Sequence, residues 1–193
     1  MELAKKLVHG GAVIFTLAVS LGMGAALGLL HIPFRAEPSG ILRFVRRTTP
    51  SIHSWKTVHL LSTSCPCSQA VSTHLIHRGI FAGAQEYVVL AGNDPALARN
   101  LTQAGYQVQS RSPEEIANQF QVPGAPWFIL VSPTQKIVYA GGYAADRNAR
   151  GGYQDQQIWE NRAAKLAYTA LPVYGCALSR RLQKRTDPFG LKY

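Results

Sequence analysis

The sequence predicts a mixed α/β domain, a sheet with helices on both of its faces. Three observations carry that reading. Short apolar runs at 58–61, 86–91 and 127–131 alternate with segments that bear helix start signals. Two of those starts, Asp94-Pro95 and Ser112-Pro113, place a capping side chain before a proline at the first helical position. The run at 127–131 and the next one at 136–140 are separated by only four turn residues, as in a hairpin. Strands alternating with helices and closing on a hairpin imply a layered α/β fold.

The elements follow in order. Trp55 to Leu61 reads as a buried strand and Cys67 to His77 as a helix ended by Gly79. Glu86 to Ala91 is a second apolar strand. A helix capped by Asp94 runs to about Ala104 and stops at Gly105; Tyr106 to Gln109 is a short third strand. Glu115 stands three residues after Ser112, as in a capping box. Val122-Pro123-Gly124-Ala125-Pro126 is a turn, Trp127–Val131 and Lys136–Ala140 form the hairpin, and 141–152 is a loop. Asp155 begins a final helix expected to run to about Leu171, where Pro172 stops it.

With 193 residues the chain can hold one membrane segment and one ordinary domain, and 47% hydrophobic against 16% charged residues argues against disorder. Three cysteines are too few for a disulfide scaffold and read as a redox or metal site plus one further thiol. The net charge of +10 suits an anionic surface. No nucleic-acid motif accompanies it, and the basic runs at 43–47 and 180–185 read as solvated or membrane-adjacent charge, so no nucleic-acid partner is expected.

Outside the domain, expected over 54–176, the chain divides into a short tail (1–10), an apolar segment (11–31), a linker (32–53) and a basic C-terminal tail (177–193). Gly11 to Leu30 carries no charge, and that many helical residues rise about 30 Å, the thickness of a hydrocarbon core. The apolar part of a cleaved signal peptide is usually about 7–15 residues. The run therefore reads as an uncleaved single-pass anchor. Lys5 and Lys6 precede it, whereas Arg35, Arg43, Arg46 and Arg47 follow it, so positive charge alone does not favour an inside N-terminus. A dithiol site is best served by an oxidising compartment, which favours a domain on the outer side of the membrane.

The chemistry centres on Ser64-Cys65-Pro66-Cys67-Ser68, between the first strand and the helix after it. A thiol at a helix N-terminus faces unpaired N–H groups and the positive end of the macrodipole, and both favour thiolate. Buried inert thiols and a metal site are the competing readings of the pair. A disulfide across one intervening residue closes a small ring that is prone to strain and easily reduced. His59 lies on the first strand, pointing opposite to Val58 and Leu60, as a satisfied core histidine or a proton relay near the thiols. His74 is two helical turns beyond Cys67, out of its reach, and reads as a packed histidine. Cys176 is a small buried hydrophobe or a third thiol that exchanges with the pair. The pairs Gly141-Gly142 and Gly151-Gly152 lack the following Lys-Ser/Thr of a phosphate loop and read as surface near the site.

The order of elements, the cysteine pair after the first strand, and Val122-Pro123-Gly124-Ala125-Pro126-Trp127-Phe128 before the hairpin resemble the thioredoxin-like superfamily over about Ser54 to Leu171. The apolar segment ahead of the domain is similar to its membrane-tethered periplasmic branch, which implies an inner-membrane anchor with the domain in the periplasm. The resemblance implies a cis Pro126 beside the cysteines, an Ala125 backbone open to an extended peptide, and Trp127 in the groove wall. It implies Cys65 as the more exposed, attacking thiolate and Cys67 as the resolving thiol. Most of the superfamily has two residues between the cysteines, whereas only Pro66 stands here, and Ser64 replaces the usual Trp. His59 matches the position of thioredoxin's buried acid. The function implied is thiol–disulfide oxidoreductase, acting on protein or small-molecule disulfides and dithiols without a cofactor. The alternative is a thioredoxin-fold Cu(I) delivery protein, since close thiolates suit Cu(I). Copper-binding relatives add a histidine from a distant loop, and 141–152 contains none.

Overall fold

The computed structural model describes residues 2–29, 34–35, 38–49, 53–163 and 169–187. In chain order these form α1 (Glu2–Leu29), α2 (Pro38–Thr48), β1 (Trp55–Ser62), α3 (Pro66–Arg78), β2 (Ala84–Ala91), α4 (Pro95–Gln103) and β3 (Gln107–Arg111). There follow α5 (Pro113–Gln119), β4 (Gly124–Ala125), β5 (Trp127–Val131), β6 (Ile137–Gly141), α6 (Asp155–Glu160), β7 (Cys176–Ala177) and α7 (Arg180–Thr186). Five strands make the main sheet in the order β3-β2-β1-β5-β6, the mixed α/β arrangement the sequence predicts.

β1 is the middle strand, parallel to β2 and antiparallel to β5. From Lys56 onward every residue in it is buried, because both faces of the sheet are covered. Alternation divides its side chains between two cores. Val58 and Leu60 join Ile41, Phe44 and Ile116 on the face covered by α2 and α5. Leu61 joins Val71, Leu75 and Trp159 on the face covered by α3 and α6. His59 turns to that second face, its ring stacked 5.3 Å from that of Phe128.

The helix starts follow their sequence signals. The Asp94 carboxylate accepts the Leu97 N–H at 2.9 Å, and the Ser112 hydroxyl accepts the Glu115 N–H at 3.2 Å. The reciprocal half of the capping box does not form, because the Glu115 carboxylate turns to Arg111 at 3.0 Å.

Four boundaries differ from the sequence reading. The stretch expected as a linker contains α2, which buries Ile41, Phe44 and Val45 while Arg43, Arg46 and Arg47 sit outside the core; the basic run is the wet face of an amphipathic helix. The final helix begins at Asp155 as expected but ends at Glu160; the part expected over 164–168 lies outside the described residues. The C-terminal tail is structured as far as 187: Leu178 is buried in the core and Ser179 caps α7. Last, among the described residues no helix is long and apolar enough to cross a membrane. Within α1 large apolar groups face outward, with Ile14 70% and Phe15 71% exposed.

Candidate active site

Cys65 is the N-cap of α3, with Pro66 at the first helical position. Its extended backbone (φ −106°, ψ 119°) leads from the end of β1 into the helix, and its side chain makes no capping hydrogen bond. The thiol turns instead toward the Ala125 carbonyl, to which it donates at 3.8 Å. The Ala125–Pro126 peptide is cis. Cys65 and Pro126 are thus neighbours although 61 positions apart, as the resemblance implies. Ser68, buried in the first turn, fixes the loop before it by accepting the Ser62 N–H at 3.0 Å.

All three cysteines meet here, and no disulfide joins them. Ala125 of β4 pairs in register with Cys176 of β7. When Cys65 ionises, the Cys176 thiol is the main group that stabilises its sulfur, with Cys67 second and the backbone and hydroxyl of Ser68 adding smaller contributions. Together they outweigh burial, which opposes ionisation, and hold Cys65 far below the ordinary thiol range. Thiolate is the nucleophilic and metal-binding form of cysteine, so this site is prepared for exchange or ligation.

Two expectations about the thiols are corrected. Cys65 is not the more exposed of the pair: it is 0% exposed, whereas Cys67 is half-buried and lines an open cavity of about 270 Å³. The Ala125 backbone is not open either, because β7 occupies it. Pro126, Tyr143, Tyr153 and Tyr174 also line the cavity, and residues 146–149 of the predicted loop close one side of it. Burial, and behind it the charge of Cys67, pushes the Tyr153 phenol up. Trp127 does not wall this cavity. It is buried in the core on the other side, where it lines a separate space with Phe34 and Ile41. The β-strand explains this, since alternation sends Trp127 and Phe128 to opposite faces.

His59 is fully buried. Its Nδ1 lies 2.7 Å from the Tyr143 hydroxyl and its Nε2 2.8 Å from a Glu86 oxygen. It reaches the cavity through Tyr143, which lines it. Sequence reasoning missed the group on its other side. Arg78 pairs with Glu86 at 2.9 Å and with Asp155 at 3.1 Å, and Asp155 pairs with His74 at 2.9 Å. The chain of paired side chains His59–Glu86–Arg78–Asp155–His74 runs through the second core from β1 by way of α6 to α3. His74 packs against Tyr153 with ring centroids 4.6 Å apart, which returns the chain to the cavity. Burial alone would raise the Glu86 pKa, but His59 and Arg78 hold it down at about 2. The sequence signal was a carboxylate opening a run otherwise apolar, Glu86-Tyr-Val-Val-Leu. A buried charge requires a partner.

The chain shares its fold with two solved structures. An uncharacterized conserved protein from Geobacillus kaustophilus aligns with a TM-score of 0.52 at 14% identity, over 66% of this chain and 77% of that one. A hypothetical protein from Sinorhizobium meliloti 1021 aligns with a TM-score of 0.52 at 16% identity, over 77% of this chain and 92% of that one. A putative thioredoxin from Neisseria meningitidis aligns with a TM-score of 0.42 at 16% identity, over 60% and 81% of the two chains. No protein-family model matches the sequence, and neither does any curated protein.

Proposed function

We propose that this chain is a thiol–disulfide oxidoreductase of an extracytoplasmic compartment, tethered to a membrane by its N-terminal apolar segment. The observation that carries the reading is the placement of Cys65 at the start of α3, against Ala125 beside Pro126, with two further thiols that favour its ionisation and a cavity lined by Cys67. The reversed burial of the pair supports a division of roles between them. Cys67 is the thiol an incoming disulfide meets. Cys67, giving up its proton to solvent, attacks one substrate sulfur, forming a mixed disulfide and releasing the other sulfur as thiolate. The Cys65 thiolate then attacks Cys67 Sγ, a Cys65–Cys67 disulfide forms, and the remaining substrate sulfur leaves as thiolate. The same steps reversed oxidise a dithiol. In that direction Cys65 is the leaving group, and a thiol of low pKa leaves quickly. Protein disulfides and small-molecule disulfides are both substrates by this chemistry.

The test is exchange with a model disulfide by the purified chain and its Cys67→Ser and Cys65→Ser variants. Loss of turnover in both is expected; full turnover in either overturns the mechanism. The tether rests on the uncharged 11–30 run and the outward apolar side chains of α1. Extraction of cell membranes with alkaline carbonate should leave the chain in the pellet, and quantitative release would refute the anchor. Cu(I) delivery is the competing use of close thiolates. Among the described residues no group of three or more His, Cys, Asp or Glu side chains is arranged to hold a metal ion. Stoichiometric copper in protein purified under reducing conditions would nevertheless replace the redox reading.

A further inference from the structure

The place beside Pro126 that the resemblance reserves for an extended substrate is filled by the chain itself. Residues 173–178 lie there, with the two-residue strand β7 at their centre and an isolated bridge to Phe34 at Val173. Their hydrogen bonding is built at both ends: the Phe34 N–H donates to the Val173 carbonyl at 2.8 Å, and the Leu178 N–H donates to the Pro123 carbonyl at 2.9 Å. Val173 and Leu178 are both buried in the first core. Between them Cys176 pairs with Ala125, the residue whose carbonyl accepts the Cys65 thiol. Gly175 makes the approach: a Cβ there would lie 1.7 Å from the Ala125 carbonyl oxygen and 2.8 Å from Pro126 Cδ. Every other residue type has a Cβ, so only glycine lets the two backbones come this close without a shift. A buried cysteine, delivered by a strand of this shape onto an acidified thiol, is more than a small hydrophobe.

We propose that Cys176 is a third redox thiol and that residues 174–177 act as a tethered, substrate-shaped strand whose disulfide partner is Cys65. The proposal rests on the reading of Cys65 and Cys67 as an exchange pair. Cys65 has both other cysteines as hydrogen-bond neighbours; Cys67 lines the cavity, and Cys176 is buried. Once a substrate disulfide has produced the Cys65–Cys67 disulfide, the Cys176 sulfur, having given up its proton, attacks Cys65 Sγ. The Cys65–Cys67 bond breaks as the Cys65–Cys176 bond forms, and Cys67 leaves as thiolate and takes up a proton. Two sulfurs are oxidised before and after, so the step requires no further oxidant. It also moves the disulfide out of a small ring between residues two apart, prone to strain, to one between the start of α3 and β7. The outward thiol is restored to the cavity while the oxidised bond is kept inside.

The experiment treats the fully reduced whole chain with one equivalent of oxidised glutathione. Remaining thiols are then alkylated in acid, and the disulfide-linked peptides are identified by mass spectrometry. The wild type should carry chiefly the Cys65–Cys176 link, with Cys67 alkylated. Gly175→Ala keeps all three thiols but pushes the strand from Ala125; it should lose the Cys65–Cys176 link at least tenfold in favour of Cys65–Cys67. A wild type that carries only Cys65–Cys67, with Cys176 fully alkylated, overturns this inference and leaves the exchange pair standing. An undiminished Cys65–Cys176 link in Gly175→Ala also overturns it, since docking would then not be what joins the two sulfurs. A chain that forms no disulfide at Cys65 at all overturns the exchange pair and this inference together.

Discussion

The starts of α3 and α4 are built from the same three parts and end up doing different things. Each follows a buried parallel strand, each has its first helical position filled by proline, and each has an N-cap residue in extended conformation. At α4 the Asp94 side chain folds back on its own helix and accepts the Leu97 N–H. At α3 the Cys65 side chain makes no such bond and turns outward from the helix to Ala125 and to the other two thiols. A cap that satisfies its own helix is structure and nothing else. A cap that leaves the helix unsatisfied has an atom to spend on chemistry, and the rest of the fold must make good the loss.

The largest break in that comparison is Cys65→Ser. A serine oxygen at an N-cap takes up the hydrogen bond that sulfur declines, so the α3 start should come to resemble those at Ser112 and Asp94. Disulfide exchange should vanish while stability holds or rises by up to about 1 kcal/mol in urea denaturation. A variant that is inactive because it is unfolded would fail this expectation.

The far end of α3 sharpens the contrast, because there the helix is held by charge. Glu86→Ala leaves Arg78 and His59 without their shared carboxylate in a buried place, and the loss should be about 3–5 kcal/mol. The same group sets an acid limit for the wild type. Its pKa is about 2 in the folded chain, against about 4.3 when unfolded. A carboxylate depressed in this way stabilises fully above the unfolded value, and its contribution is lost as pH falls from there through about 2. Chemical denaturation across that window should show stability declining with acid, more steeply in the wild type than in Glu86→Gln.

Smaller effects belong to the ordinary caps. Asp94→Ala should cost about 1 kcal/mol and leave disulfide exchange unchanged. Ser112→Ala should cost somewhat less, about 0.5–1 kcal/mol, because its capping bond is longer and solvent-exposed. A change in exchange rate in either variant would mean that the helix starts are coupled, contrary to the contrast drawn above.

The caps at Asp94 and Ser112 and the strands were legible in the sequence, because each depends on residues close in sequence or on a periodicity that survives folding; the approach of Cys65 to Pro126 was reached only through the family resemblance. The fate of Arg43 to Arg47 was not. Charge at three of five positions hid the phase of Ile41, Phe44 and Val45, which only the sheet they cover makes plain. The relative burial of Cys65 and Cys67 was out of reach for a different reason. It is decided by a strand more than a hundred positions later, and two residues of β-pairing leave no periodicity to read. The ion-pair chain from His59 to His74 had only Glu86 to betray it, at the head of an otherwise apolar run; Asp155 sits among glutamines and gave no such signal.

The strand over Cys65 is braced at Val173 and at Leu178 by contacts that involve no sulfur. Its position is therefore indifferent to which sulfur is bonded to which. Partners can be swapped among the three cysteines with motions of side chains alone, inside a frame that is already in place. Hand-over inside such a frame should not slow as the solvent is thickened with glycerol, whereas arrival of an external disulfide at Cys67 should.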